Sequence, residues 1–133
     1  MDLRGEGFRE TSKVRGLPPI SVVTITLNEE RNIRSCLESV KWVDEIIIVD
    51  SFSTDKTVEI CDEFTNRIYQ RLWPGFGAQK NFGIDQALSE WVLIVDADEK
   101  VTQALREEIQ ETLKQPGNIV GYHIPRCNFW YGK

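Results

Sequence analysis

Two stretches of the same form, "EIIIVD" (Glu45–Asp50) and "WVLIVD" (Trp91–Asp96), constrain the chain most. Each is an unbroken apolar run that ends on an aspartate. Successive side chains of a strand point to opposite faces, so a run with no polar alternation fits a strand covered on both sides, the habit of parallel sheets. "ISVVTIT" (Ile20–Thr26) has the same character, set between Pro18 and Pro19 before it and Asn28 after it. The intervening segments change period. In "EERNIRSCLESV", Ile33, Cys36, Leu37 and Val40 recur at spacings of three and four, which predicts an amphipathic helix. "STDKT" opens a second helix, with Thr54 as the expected N-cap, Asp55 in the first turn, and Val58, Cys61 and Phe64 facing inward. "RIYQRL" reads as a short strand, and "GFGAQKNFGIDQAL" as a helix in which Gly83 weakens continuity. Thr102 is placed to cap a last helix with Leu105, Ile109 and Leu113 as its stripe. "VGYHIPR" starts a further strand.

Strand alternating with helix four times over predicts an α/β fold, a Rossmann-like, mainly parallel sheet with helices on both faces. The 133 residues suit one domain, read as residues 20–133, with residues 1–19 lacking periodicity and expected to be an N-terminal arm or remnant. A net charge of -5 argues against nucleic acid as a partner, because phosphate backbones call for a basic face. The longest aliphatic runs, Ile46–Val49 and Val92–Val95, are far short of the ~20 residues of a membrane span. The opening "MDLRGEGFRETSKVRG" has no apolar signal region, so a cytoplasmic location is expected. Cys36, Cys61 and Cys127 have no metal-type spacing and are expected to be reduced, buried thiols.

In open α/β sheets, ligands bind beyond the carboxyl ends of the strands. "LNEE", "VDSFSTD" and "VDADE" all fall there. Asp96 and Asp98, one residue apart, repel each other by roughly 1–4 kcal/mol at 4 Å for a dielectric of 80 to 20, so a divalent cation or a solvated acidic turn must accommodate them. Glu99 is expected to be a first-turn or solvent-facing acid. Asp50 closes its strand as Asp96 does; with Glu29 and the hydroxyls of Ser51, Ser53 and Thr54 it would form a polar pocket for a base, a ribose and a metal-bound diphosphate.

In that order, "ISVVTITLNEERNIRSCLESV", "DEIIIVDSFSTDKTVEI", "GFGAQKNFGIDQA" and "WVLIVDADE" resemble the nucleotide-binding half of a family 2 inverting glycosyltransferase with the A-type fold. "KWVDEIIIVDS" and "WPGFGAQKNFGI" resemble the branch of lipopolysaccharide core β-1,4-glucosyltransferase-like proteins. The resemblance implies a nucleotide-sugar donor, a UDP-sugar above all, a glycan or lipid-linked acceptor, and Mg²⁺ or Mn²⁺. By the same resemblance Asp50 bonds the nucleobase, with Thr26, Asn28, Glu29 and Ser51 nearby on the base and ribose. Lys80 faces the diphosphate, Asp96 reaches the ribose or the metal, and Asp98 ligates the metal. The ion acts on the leaving group as a Lewis acid.

Two departures stand out. Where the family commonly has V-D-D-G-S, this chain has Val49, Asp50, Ser51, Phe52 and Ser53, so a second acceptor is lost and a bulky residue stands at a glycine position. The family's general base is a carboxylate well after the D-x-D, and no Asp or Glu follows position 111. That implies the N-terminal portion of a longer enzyme, peripheral at the inner membrane when complete, with no catalytic base in this stretch and the base expected downstream of Lys133. Phe129, Trp130 and Tyr131 would open the acceptor side, stack on a sugar or join two copies of the chain; His123 is expected to be structural. Three alternatives compete: a haloacid dehalogenase-type phosphatase using the D-x-D, which has Lys100 where that family wants Thr or Val; a phosphoacceptor receiver domain; and a non-catalytic nucleotide-binding module.

Overall fold

The computed structural model describes residues 2–5, 17–114 and 121–123. In chain order its elements are β1 (Asp2–Gly5), β2 (Ile20–Thr26), α1 (Ile33–Glu38), β3 (Glu45–Asp50), α2 (Thr57–Cys61), β4 (Ile68–Gln70), α3 (Phe76–Gln86), β5 (Trp91–Ile94), α4 (Gln103–Lys114) and β6 (Gly121–His123). They build a six-stranded sheet in the order β4-β3-β2-β5-β1-β6. The four strands from β4 to β5 are parallel, with Thr26 beside Asp50 and Val23 beside Ile94. From β2 the chain winds outward through β3 to β4, then returns to the other side of β2 as β5. The crevice between the carboxyl ends of β2 and β5 is therefore the switch point where such sheets hold ligands.

The apolar runs are covered on both faces. Ile20, Val22, Ile46, Ile48, Trp91 and Leu93 pack with Ile33, Cys36 and Leu37 of α1, Cys61 of α2, and Ile109 and Leu113 of α4. The residues one step along, Val23, Ile47, Val49, Val92 and Ile94, pack instead with Ile84 of α3. The period of two thus assigns each strand residue either to the three-helix face or to the α3 face.

Three expectations are corrected here. Residues 1–19 contain a strand: β1 lies antiparallel between β5 and β6, Asp2 facing Ile94 on one side and His123 on the other. Gly83 does not interrupt its helix, for α3 runs unbroken from Phe76 to Gln86. It is the point of closest approach to the sheet, where an added Cβ would stand 2.4 Å from Val23 Cγ1 and 3.2 Å from Val49 Cγ2. Thr54 does not cap α2. The N-cap position is Lys56, which makes no side-chain cap bond; Asp55, one residue before it, accepts the Thr57 N–H at 2.9 Å and the Thr57 hydroxyl, while the Thr54 N–H goes to Asn28 Oδ1 at 2.8 Å. Thr102 caps α4 as predicted, its Oγ1 accepting the Leu105 N–H at 3.1 Å. Cys127, Phe129–Tyr131 and the terminal Lys133 lie outside the described residues, as does the side chain of His123. The expectation of a general base downstream of Lys133 falls outside them too.

Candidate functional site

The loop after β2 and the loop after β3 are laced together. The Asn28 N–H donates to Ser53 Oγ (2.8 Å), the Glu29 N–H to Thr57 Oγ1 (2.8 Å) and the Glu30 N–H to Asp55 Oδ2 (3.2 Å); in return the Lys56 N–H donates to Glu30 Oε1 (2.8 Å). Two residues of these loops, Asn28 (φ 52°) and Phe52 (φ 61°), occupy the left-handed region. Asparagine tolerates that conformation; phenylalanine does so at a cost of about 1 kcal/mol or more, so the surrounding bonds must over-determine the turn.

They do so through Asp50. Its side chain is fully buried (0 % exposed) and both oxygens are used: Oδ1 accepts the hydroxyls of Thr26 (2.7 Å) and Ser53 (2.6 Å), and Oδ2 accepts the Ser53 N–H (2.8 Å) and Gln70 Nε2 (3.3 Å). A carboxylate offers about four such lone-pair positions. Here all four are filled by the protein's own donors, the longest bond being that from Gln70. Parity separates Asp50 from its neighbour: Asp50 continues the Ile46, Ile48 series toward the three-helix face, whereas Ser51 falls on the α3 side, where its Oγ accepts from Nε2 of the buried Gln79 at 3.1 Å. Gln79 Oε1 in turn accepts from Arg71 Nη1 at 3.4 Å.

On that α3 side a cleft of about 350 Å³ opens between Ile25, Thr26, Leu27 and Glu29 on one wall and Trp73 and Phe76 on the other. Trp73 and Phe76 meet edge to face, centroids 4.8 Å apart, yet remain 45 % and 68 % exposed. Gly75, at φ 111°, turns the chain between them. The cleft thus pairs aromatic and aliphatic faces with one carboxylate, Glu29, the mixture that holds a flat polar ring. The stretch "WPGFGAQKNFGI" contains both Trp73 and Phe76, but no role was expected of either.

Beyond β5 the chain alternates in and out. Val95, Ala97, Glu99 and Val101 are buried, Asp96 is half-buried, and Asp98 and Lys100 are exposed. The two aspartates consequently face outward on either side of Ala97. Lys80 of α3 stands 3.8 Å from Asp96 Oδ1. Glu99 is not solvent-facing as expected: it is 0 % exposed, its Oε1 accepts the Asp96 N–H at 2.8 Å, and its own N–H donates to the Asp96 carbonyl at 2.9 Å. Cys36 Sγ donates to that same carbonyl at 3.5 Å. Burial first, and the neighbouring Glu99 charge second, push the Cys36 thiol up to about 12; burial and then the Asp50 charge do the same for Cys61. Both are inert, protonated core thiols, as predicted.

Among the described residues no group of three or more His, Cys, Asp and Glu side chains converges as a metal cage. The donor set that is present, two outward carboxylates one residue apart beside a cationic Lys80, fits Mg²⁺ or Mn²⁺, which take one or two carboxylates and complete their shell with water and substrate phosphate. It does not fit a structural zinc site. No helix among the described residues is long and apolar enough to cross a membrane.

The structure thus brings Thr26, Glu29 and the aromatic wall together on the cleft, sets Lys80 against Asp96 with Asp98 alongside, puts Ser51 on the α3 side, and keeps Asn28 and Asp50 as parts of the loop lacing. Known proteins resemble this chain in sequence and fold. Lipopolysaccharide core biosynthesis glycosyltransferase LpsC of Rhizobium meliloti is 36% identical over 119 residues, covering 86% of this chain and 44% of LpsC. Glycosyltransferase SunS of Bacillus subtilis is 42% identical over 85 residues, 61% of this chain and 20% of SunS. The chain spans less than half the length of the curated relatives it matches. Among solved structures, S. aureus TarS 1-349 superposes with a TM-score of 0.61 at 29% identity, over 71% of this chain and 32% of TarS. Glucosyl-3-phosphoglycerate synthase from Mycobacterium tuberculosis, in complex with Mg²⁺ and UDP, superposes with a TM-score of 0.54 at 30% identity, over 61% of this chain and 34% of that one. The family described as Glycosyl transferase family 2 matches residues 21–129, which runs from the second residue of β2 through β6 and takes in every residue of the site, and the chain belongs to that family.

Proposed function

We propose that this chain carries the donor-binding part of an inverting, metal-dependent glycosyltransferase that moves a sugar from a UDP-sugar to a lipopolysaccharide-type glycan or lipid-linked acceptor. The observation that carries the reading is that Lys80 Nζ stands both 5.9 Å from the ring centre of Phe76, on the wall of the cleft at the end of β2, and 3.8 Å from Asp96 Oδ1 at the end of β5. A nucleoside diphosphate has this shape, a flat ring followed by two phosphates. The base lies between Leu27 and the Trp73, Phe76 pair, with Asp50 and the Gln79-held Ser51 as its polar partners, and Glu29 accepts from the ribose hydroxyls. Lys80 meets the diphosphate. Mg²⁺ or Mn²⁺ held by Asp96 and Asp98 would supply the Lewis-acid charge that eases departure of the nucleoside diphosphate. Complexes of the mycobacterial synthase with Mn²⁺ and UDP support the cofactor and donor, and the likeness to LpsC supports the acceptor class. The general base of this reading is a carboxylate downstream of Lys133, supplied by the acceptor side.

Calorimetric titration of UDP with and without Mn²⁺ tests this. Mn²⁺ is expected to tighten UDP binding at least 10-fold, and Asp98→Ala to abolish that gain while leaving uridine binding unchanged. Equal UDP affinity with and without metal would exclude the metal reading, and covalent phosphorylation of Asp96 by a phosphate ester would favour the phosphatase instead.

A further inference from the structure

We propose that Glu99 is a positioning residue: from inside the core, its carboxylate sets the turn that presents Asp96 and Asp98 outward, and it does so by reach rather than by charge. The inference rests on the metal reading given above. Asp96 and Asp98 are on a turn beyond the last ladder residue of β5, Ile94; the Val95 N–H still bonds the sheet, at the Val23 carbonyl, at 3.0 Å. Past that point the backbone is fixed from beneath. Glu99 Oε1 takes the Asp96 N–H at 2.8 Å, and the Glu99 N–H closes the same turn on the Asp96 carbonyl at 2.9 Å. Cys36 Sγ meets that carbonyl from α1 at 3.5 Å, and the Val101 N–H is held by Ser39 Oγ, at the end of α1, at 2.9 Å. Of these groups Glu99 is the fully buried carboxylate, and it bonds the peptide of the first aspartate itself. A carboxylate kept dry is costly unless hydrogen-bonded, so its place is fixed tightly and it fixes the Asp96 peptide in turn. Groups that orient metal-binding residues from behind commonly change metal affinity by about 10–100-fold when removed.

Reach and charge separate in two substitutions. Glu99→Gln keeps an oxygen acceptor at the same length and discards the charge; Glu99→Asp keeps the charge and withdraws the acceptor by one methylene. The Mn²⁺-dependent gain in UDP affinity is measured by calorimetry for each, with metal-free uridine affinity and thermal midpoint recorded alongside. Glu99→Gln is expected to retain the gain within about threefold, and Glu99→Asp to lose about 10-fold of it with uridine affinity unchanged. The inference is overturned if Glu99→Asp retains the gain, if Glu99→Gln loses as much as Glu99→Asp, or if uridine affinity falls in step with the Mn²⁺ gain, which is the mark of general loosening. A wild-type protein whose UDP affinity ignores Mn²⁺ removes the metal reading and this inference with it; a wild-type response with indifferent Glu99 variants removes this inference alone.

Discussion

Replacing Gly83 by alanine is expected to destabilise the protein, although alanine is the better helix former. In an exposed helix interior the change would gain about 1 kcal/mol. Here the new methyl would stand 2.4 Å from Val23 Cγ1 and 3.2 Å from Val49 Cγ2, against an ordinary carbon separation of roughly 3.5–4.0 Å. Both neighbours are β-branched residues of central strands with stiff side chains, so the helix rather than the valines must give. Overpacking of this kind costs about 1–3 kcal/mol, and the depth of the clash puts it at the upper end, leaving a net loss of about 2 kcal/mol after the helix gain. With a urea slope of about 2 kcal/mol per molar, the midpoint would fall by about 1 M. Val23→Ala alone removes two methyl groups and should also cost about 2 kcal/mol. In the double variant the Gly83→Ala methyl occupies the space vacated at Val23, so the pair should cost about 2 kcal/mol rather than the additive 4. A Gly83→Ala midpoint higher than that of the wild type, or strict additivity in the double variant, would show that α3 does not rest on the sheet at this point. Because α3 also carries Gln79 and Lys80, the same substitution should weaken UDP binding.

Asp50→Ala leaves the donors of Thr26, Ser53 and Gln70 without their buried acceptor and is expected to cost about 3 kcal/mol, read as a fall of about 10 °C in calorimetric midpoint; Ser51→Ala should stay within about 1 kcal/mol. The Cys36 and Cys61 thiols keep their protons up to about 12, against an ordinary 9.0, so above pH 9 the unfolded chain binds fewer protons than the folded one and stability should decline steadily toward pH 12. Urea midpoints between pH 8 and 11 check the sign, and a Cys36→Ala, Cys61→Ala variant should lose that part of the decline.

The parallel core was legible because its runs are unbroken: Ile46–Val49 and Val92–Val95 have no polar position at which a strand can meet water. β1 was not, because Asp2–Gly5 carries no pattern; its strand character comes from pairing with the otherwise open edge of β5. Glu99 was misread for a simple reason. Charge suggested solvent, whereas parity decided the direction, and the alternation Val95, Ala97, Glu99, Val101 already contained the answer. Thr54 reads as a cap by residue type, but α2 starts only at Thr57 and Thr54 is drawn to Asn28 instead. The aromatic wall depends on Gly75 folding Trp73 back onto Phe76, a local turn that no periodicity encodes.

The lacing between the loops after β2 and β3 has a consequence for how this protein can change. Its bonds come from separate residues, and several run to backbone N–H groups that every residue but proline possesses. Loss of any one leaves the others holding the same two segments, so single substitutions should be buffered and their costs should compound only in combination. Such redundancy lets an exposed residue of the turn such as Phe52 drift in identity without moving the frame beneath it. A protein built this way can explore new surfaces at the mouth of its cleft while its backbone stays put.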